Sequence, residues 1–185
     1  MTAPRWSRRA SFAWWATGYV AAFAVAWVTL LFLPEELNSF WAVAIADLAA
    51  TLVIFAFSRG LACSSMYDAY WSVAPIVIVF YWVFEADKAI NPIRAGAVLF
   101  LVTWWGVRLT YNWARSWPGL HHSDWRYVIM KDKAPSLWFF TDLFGIHLFP
   151  TAEVLLALGG AWVALTQGSS PLSWIDLVAL IVTAS

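Results

Sequence analysis

Between Trp104 and Lys131 the chain reads WWGVRLTYNWARSWPGLHHSDWRYVIMK, a polar island in a sequence otherwise dominated by Ala, Val, Leu, Ile, Phe and Trp. On a helix, Trp104, Arg108, Tyr111, Asn112 and Arg115 fall at i, i+4, i+7, i+8 and i+11, which sets them in one stripe. Two guanidiniums and a carboxamide on one face suit an anionic ligand such as phosphate. The competing reading is that the arginines reach out to the membrane interface. It serves Arg115 well, but Asn112 is too short to follow.

Further groups extend the set. In HHSDWRY, Asp124 and Arg126 either pair with groups on neighbouring loops or belong, with Trp125 and Tyr127, to an ordinary interfacial belt with salt bridges. Asp68 heads the run SSMYDAYWSVAPIVIVF. A protonated carboxyl there can donate a hydrogen bond to a carbonyl oxygen, one way to polarise an enone. As a carboxylate it would instead favour the dipole of the helix that follows. Asp47, Asp142, His147 and Glu153 lie inside long apolar runs, where ionisable groups are expected to face the bundle interior, paired or lining a cavity.

Several chemistries are set aside. His121, His122 and His147 are the only histidines, too few for the histidine boxes of a membrane di-iron enzyme, and bis-histidine haem needs facing intramembrane histidines, of which only His147 is a candidate. Cys63 is alone, which excludes an internal disulfide and any cysteine-built metal cluster. No glycine-rich dinucleotide or phosphate loop is present, and no metal site is expected. The 11 basic and 11 acidic side chains cancel, so bulk charge favours neither nucleic acid nor an acidic partner, and no protein partner is indicated.

The elements that must position these groups are membrane spans. Of 185 residues, 62% are hydrophobic and only 12% charged, and the mean hydropathy is +0.69. Soluble domains carry about 25% charged residues. The expected fold is an all-α polytopic bundle, one transmembrane domain over residues 1–185. A span needs about 20 apolar residues, and the candidates are 11–33, 39–57, 67–84, 93–113 and 137–165, the last long enough to tilt or to kink near Pro150. The first is too long for a signal-peptide core and is read as a retained helix. A sixth run starts after Pro171 and covers about 22 Å as a helix, against a hydrocarbon core of about 30 Å. A truncated chain is therefore expected.

Basic residues set the expected topology. Arg5, Arg8 and Arg9 precede the first span, Arg59 follows the second, and Arg115, Arg126, Lys131 and Lys133 follow the fourth. The acidic PEELN and the mixed EADKAINPIR fall at the other ends. This alternation places the N-terminus and the 114–136 loop in the cytoplasm, and a bacterial inner membrane is the expected location.

YDAYWSVAP, WWGVRLTYNWARSW and DWRY, in this order, resemble the DUF1295 membrane proteins of the steroid 5α-reductase superfamily. The resemblance implies a bundle of about seven spans holding NADPH in a cavity open to the cytosol, with hydride passing to the β-carbon of an enone. It further implies a lipophilic substrate, steroid-like or isoprenoid, and contact with membrane lipids. Asp68 and Pro75 reproduce the family's acid–proline spacing, which would make Asp68 the catalytic acid. Arg108 matches a family arginine on cofactor phosphate, and Asn112, Arg115, Asp124 and Arg126 match the rest of the cofactor signature. The family tyrosine three residues before the helical arginine is replaced by Trp105, which leaves Tyr70 or Tyr111 as substitutes. The family's C-terminal S-R-H-P-N-Y-type segment is not found in these residues, so this portion is expected to be inactive alone. A membrane methyltransferase of related bundle fold and a non-enzymatic scaffold or transporter are the alternatives.

Overall fold

The computed structural model describes residues 6–85, 90–167 and 169–184. Arg5, and the Asp87–Lys88 part of the mixed-sign connection, lie outside the described residues. The described chain is helical throughout: α1 (Arg8–Phe32), α2 (Ser39–Gly60), α3 (Tyr70–Phe84), α4 (Pro92–Ser116), α5 (Trp125–Lys133), α6 (Pro135–Ala157), α7 (Gly159–Thr166) and α8 (Trp174–Ala184). Among the described residues, five helical stretches are long and apolar enough to cross a membrane: Arg8–Phe32, Ser39–Gly60, Ser64–Phe84, Pro92–Ser116 and Pro135–Ala157. With the shorter apolar Trp174–Thr183 they make a polytopic helical bundle that fits an integral membrane protein.

Local chemistry sets the helix starts. Ser7 accepts from the Ala10 N–H at 3.2 Å, Asn38 from Phe40 at 2.9 Å, and Asn91, followed by Pro92, from Ile93 at 3.1 Å. Each satisfies an N–H that has no partner inside its own helix, and proline suits the first helical position, where no N–H is needed. The first four spans match expectation within a few residues. The last does not: instead of one helix over 137–165, α6 ends at Ala157 and α7 starts at Gly159. Within α6 the winding is π over Thr141–Leu148 and α from Phe149. Pro150, with no N–H to give, sits where one winding yields to the other.

α1 packs along α2 and α3 along α4, with α3 also meeting α6 and α7. Small residues make the close approaches: Ala22 on α1 and Ala42, Ala46 and Ala50 on α2 are buried, as expected where packing rather than hydrophobicity joins helices in lipid. Around them Tyr19, Ile54, Tyr67, Tyr70, Val79 and Trp82 form the core. Gly106 of α4 lies against α3 so tightly that a Cβ there would collide with the Ser72 carbonyl oxygen and come within 2.8 Å of Ile76.

One end of the bundle gathers the start of α1, the α2–α3 turn, the end of α4 and all of α5. Arg8 donates to the carbonyls of Ala114 (2.6 Å) and Trp117 (3.1 Å), capping α4 from another helix. Ser11 Oγ accepts from the Leu120 N–H at 3.1 Å, and Cys63 Sγ donates to the His122 carbonyl at 3.3 Å. The loop after α4 is thereby tied to the head of α1 and to the α2–α3 turn.

Candidate functional site

Asp68 stands in the turn before α3, but Ala69 is the N-cap and contributes no side-chain bond, so the Asp68 carboxyl does not cap the helix. It meets α5 instead. The Tyr127 hydroxyl donates to Asp68 Oδ1 at 2.5 Å. Ser65 Oγ accepts from the Asp124 N–H at 3.0 Å, which locks the loop before α5 onto the turn before α3. Burial, and next the Asp68 carboxyl, push the Tyr127 phenol well above its ordinary range, so it keeps its proton.

Asp124 explains why Tyr127 lies in register. It is the N-cap of α5, its carboxylate accepting from the Arg126 N–H at 2.8 Å. The same carboxylate takes a two-pronged grip from the Arg126 guanidinium, at 2.8 and 2.9 Å. That guanidinium is the main reason the Asp124 carboxyl sits below the usual carboxylate range, and Asp124 raises Arg126 in return. The two were expected either to reach neighbouring loops or to sit in an interfacial belt with salt bridges. They pair with each other, because two positions apart across an N-cap the fork of the arginine folds back onto its own cap.

A cavity of about 530 Å³ opens beside this cluster. Asp68, Asp124, Arg126 and Tyr127 line it, with Glu153 of α6 across from them and Trp71, Leu109 and Trp113 as an apolar wall. This size is within the range of small-molecule sites, and a mostly apolar lining with a few convergent polar groups is their usual make-up.

The basic stripe lies elsewhere on α4. Arg108, Asn112 and Arg115 are exposed and absent from the cavity lining. At about 100° per residue they fall roughly a quarter turn from Leu109, which faces the cavity. Arg115 rests over the Tyr111 ring at 5.7 Å, and among the described residues neither arginine is paired with an acid. The structure thus brings together Asp68, Asp124 and Arg126, and leaves the stripe on the adjoining outer face.

The two tyrosines considered as partners for Asp68 are placed away from it. Tyr70 is fully buried and donates to Asp47 at 2.6 Å, and Tyr111 is exposed on α4. Tyr127 is the tyrosine that sequence reasoning missed, although DWRY held the signal: an N-cap aspartate followed by a tyrosine one helical turn on. Asp47, Asp142 and His147 are buried in the bundle, as expected of ionisable groups in apolar runs. Asp142 lies 3.5 Å from His147 and 3.7 Å from Arg59, and Glu153 lines the cavity.

No curated protein matches this chain, and no solved structure does. The family model described as "Protein of unknown function (DUF1295)" matches residues 54–184, which span α3 to α8 and hold every residue of the cavity and of the stripe. With the larger part of its length covered, the chain belongs to the DUF1295 family.

Proposed function

We propose that the protein is an NADPH-dependent membrane reductase that saturates a C=C bond conjugated to a carbonyl in a lipophilic, steroid-like or isoprenoid substrate. The observation that carries this reading is the Asp68–Tyr127 pair in the wall of a cavity otherwise lined largely by apolar and aromatic groups. With Asp68 protonated, the pair presents an O–H to a substrate carbonyl oxygen while Tyr127 holds the carboxyl in orientation. Withdrawing electron density through that carbonyl makes the β-carbon electrophilic. Trp71, Leu109 and Trp113 keep water from the apolar body of the substrate.

The donor chemistry fits the cofactor. Arg108 and Arg115 are exposed, without an acidic partner among the described residues, and share their face with Asn112. These three would hold its phosphates, next to the α4 residues that wall the cavity. When bound, NADPH supplies the hydride. Asp124 and Arg126, engaged with each other, serve this scheme by fixing α5 and through it Tyr127. The island end, with Arg8, Arg59 and the loop after α4, would face the cytoplasm.

The test is an NADPH titration of the detergent-purified protein and its Arg108→Ala variant, with turnover of lipophilic enones by Asp68→Asn. Loss of Arg108 is expected to weaken binding by about 1.5–3 kcal/mol, the range for charge-assisted hydrogen bonds. Asp68→Asn is expected to reduce turnover more than cofactor affinity. Equal NADPH titrations would remove the phosphate role, and undiminished turnover would remove the acid role.

A further inference from the structure

A second cavity, of about 320 Å³, lies between α1, α2 and α3 towards the opposite end of the bundle from Asp68. That volume is at the small end of the range for small-molecule sites. Phe23, Trp27, Tyr70 and Tyr81 give it aromatic walls. Its two acidic groups are Asp47, from α2, and Glu85, at the end of α3. Among the described residues, no Lys, Arg or His lines it.

Asp47 is only 7% exposed, and a carboxyl so enclosed among hydrocarbon is costly unless it is paired or bound. One of its oxygens is provided for, since the Tyr70 hydroxyl donates to Oδ1 at 2.6 Å. Oδ2 has no hydrogen-bond partner among the described residues, yet it is not sealed in the core as Asp142 Oδ1 is. Its open side is the cavity that Asp47 lines. Tyr70 is itself nearly fully buried, so it fixes the way the carboxyl faces. Further carboxylates lie at this end. Glu85 is exposed, and the α1–α2 connection, which follows Leu30 of the same wall, carries the exposed Glu35 and Glu36. Charges of one sign around a cleft draw in ions of the other.

We propose that this cavity binds a lipophilic organic amine, whose ammonium group donates to Asp47 Oδ2 and lies against the aromatic walls. An anion would meet only carboxylates, and a purely apolar guest would leave Oδ2 without a donor. A metal ion needs more ligands than one buried carboxylate, and no group of three or more His, Cys, Asp or Glu is assembled among the described residues. An alcohol supplies a hydrogen bond but gains nothing from the acidic charge. A protonated amine uses every feature of the site. It donates a charge-assisted hydrogen bond, it is attracted to the faces of the rings, and it neutralises a carboxylate that would otherwise stand unpaired in apolar surroundings. This cavity shares no lining residue with the one that holds Asp68, and the amine site is independent of the reductase reading.

Isothermal titration of the full protein in an uncharged detergent at neutral pH, with no cofactor present, tests it. The probes are phenethylamine and its isostere phenethyl alcohol, and empty micelles give the partition background. The amine is expected to bind one to one and at least about tenfold tighter than the alcohol, the low end for a hydrogen bond to a charged group. Asp47→Asn, which keeps the shape of the side chain, is expected to lose that preference. Trp27→Leu, at a position already half exposed, is expected to weaken the amine by about threefold and leave the alcohol unchanged. Glu85→Gln is expected to weaken the amine at low salt and to match the wild type at high salt. Equal affinity of the wild type for the two probes overturns the proposal, as does amine uptake no greater than that of empty micelles, and both are read without any variant. A preference for the amine that survives in folded Asp47→Asn overturns it as well.

Discussion

Replacing Tyr127 by Phe removes one hydroxyl and nothing else, which makes it the cleanest probe of the cluster at the island end. The hydroxyl donates to Asp68 at 2.5 Å across a part-buried contact between α5 and the turn before α3. A neutral hydrogen bond is worth about 1 kcal/mol, and one to a charged group about 1.5–3 kcal/mol. In a double-mutant cycle with Asp68→Ala, followed by equilibrium unfolding in mixed micelles, a coupling of at least about 1 kcal/mol is expected, rising towards the charged range where the carboxyl is ionised. The pH dependence has a definite sign. Burial and Asp68 raise the Tyr127 phenol in the folded protein, so its contribution is complete below the ordinary tyrosine value of about 10 and is lost as pH climbs through the folded value. Tyr127→Phe should lack that alkaline loss. Coupling within about 0.3 kcal/mol of zero, the level at which independent sites add, together with an unchanged alkaline limb, would refute the pairing.

The remaining predictions concern the elements that hold this pair in place. Asp124→Ala should cost about 1 kcal/mol as a lost N-cap, and hydrogen exchange along Trp125–Lys133 should quicken while α4 is unaffected. Because Arg126 holds the Asp124 carboxyl below its ordinary range, the contribution is present above the unfolded pKa and is lost as pH falls through the folded value. The wild type, and not the variant, should therefore lose stability on acidification. Gly106→Ala places a methyl against the Ser72 carbonyl and Ile76, and overpacking of this kind costs about 1–3 kcal/mol. Thermal unfolding that matches the wild type would mean that α3 and α4 are not in this contact.

Much of the fold was legible because the length of an apolar run and the thickness of a bilayer leave few options. Where runs were unbroken, as for Ser39–Gly60, the expected and observed bounds nearly coincide. The single expected span over 137–165 misled because π winding and the break before Gly159–Gly160 leave no trace in hydropathy, which stays high through Leu158. Asp68, Asp124 and Arg126 were identifiable one by one. Their grouping with Tyr127 was not, since it depends on α5 folding back over the α2–α3 turn through Ser65.

The basic stripe shows why periodicity alone cannot say which side of a membrane helix turns inward. In water the apolar face of a helix is the buried face. In lipid both faces are apolar, and the driving force is close packing. On α4 the outward face carries Phe100, Trp104 and Val107, no less hydrophobic than the face that meets α3. What marks the inner face is the small residue, Gly106, whose missing side chain lets the Ser72 carbonyl approach. The motif W-G-x-R joins the two functions in four positions: the glycine fixes α4 on α3, and the arginine two residues later is thereby turned outward. Arg108 lies on the outer face because Gly106 must lie on the inner one. A ligand held by Arg108, Asn112 and Arg115 would therefore approach α4 from outside the described bundle and reach the Asp68 cavity past Leu109 and Trp113.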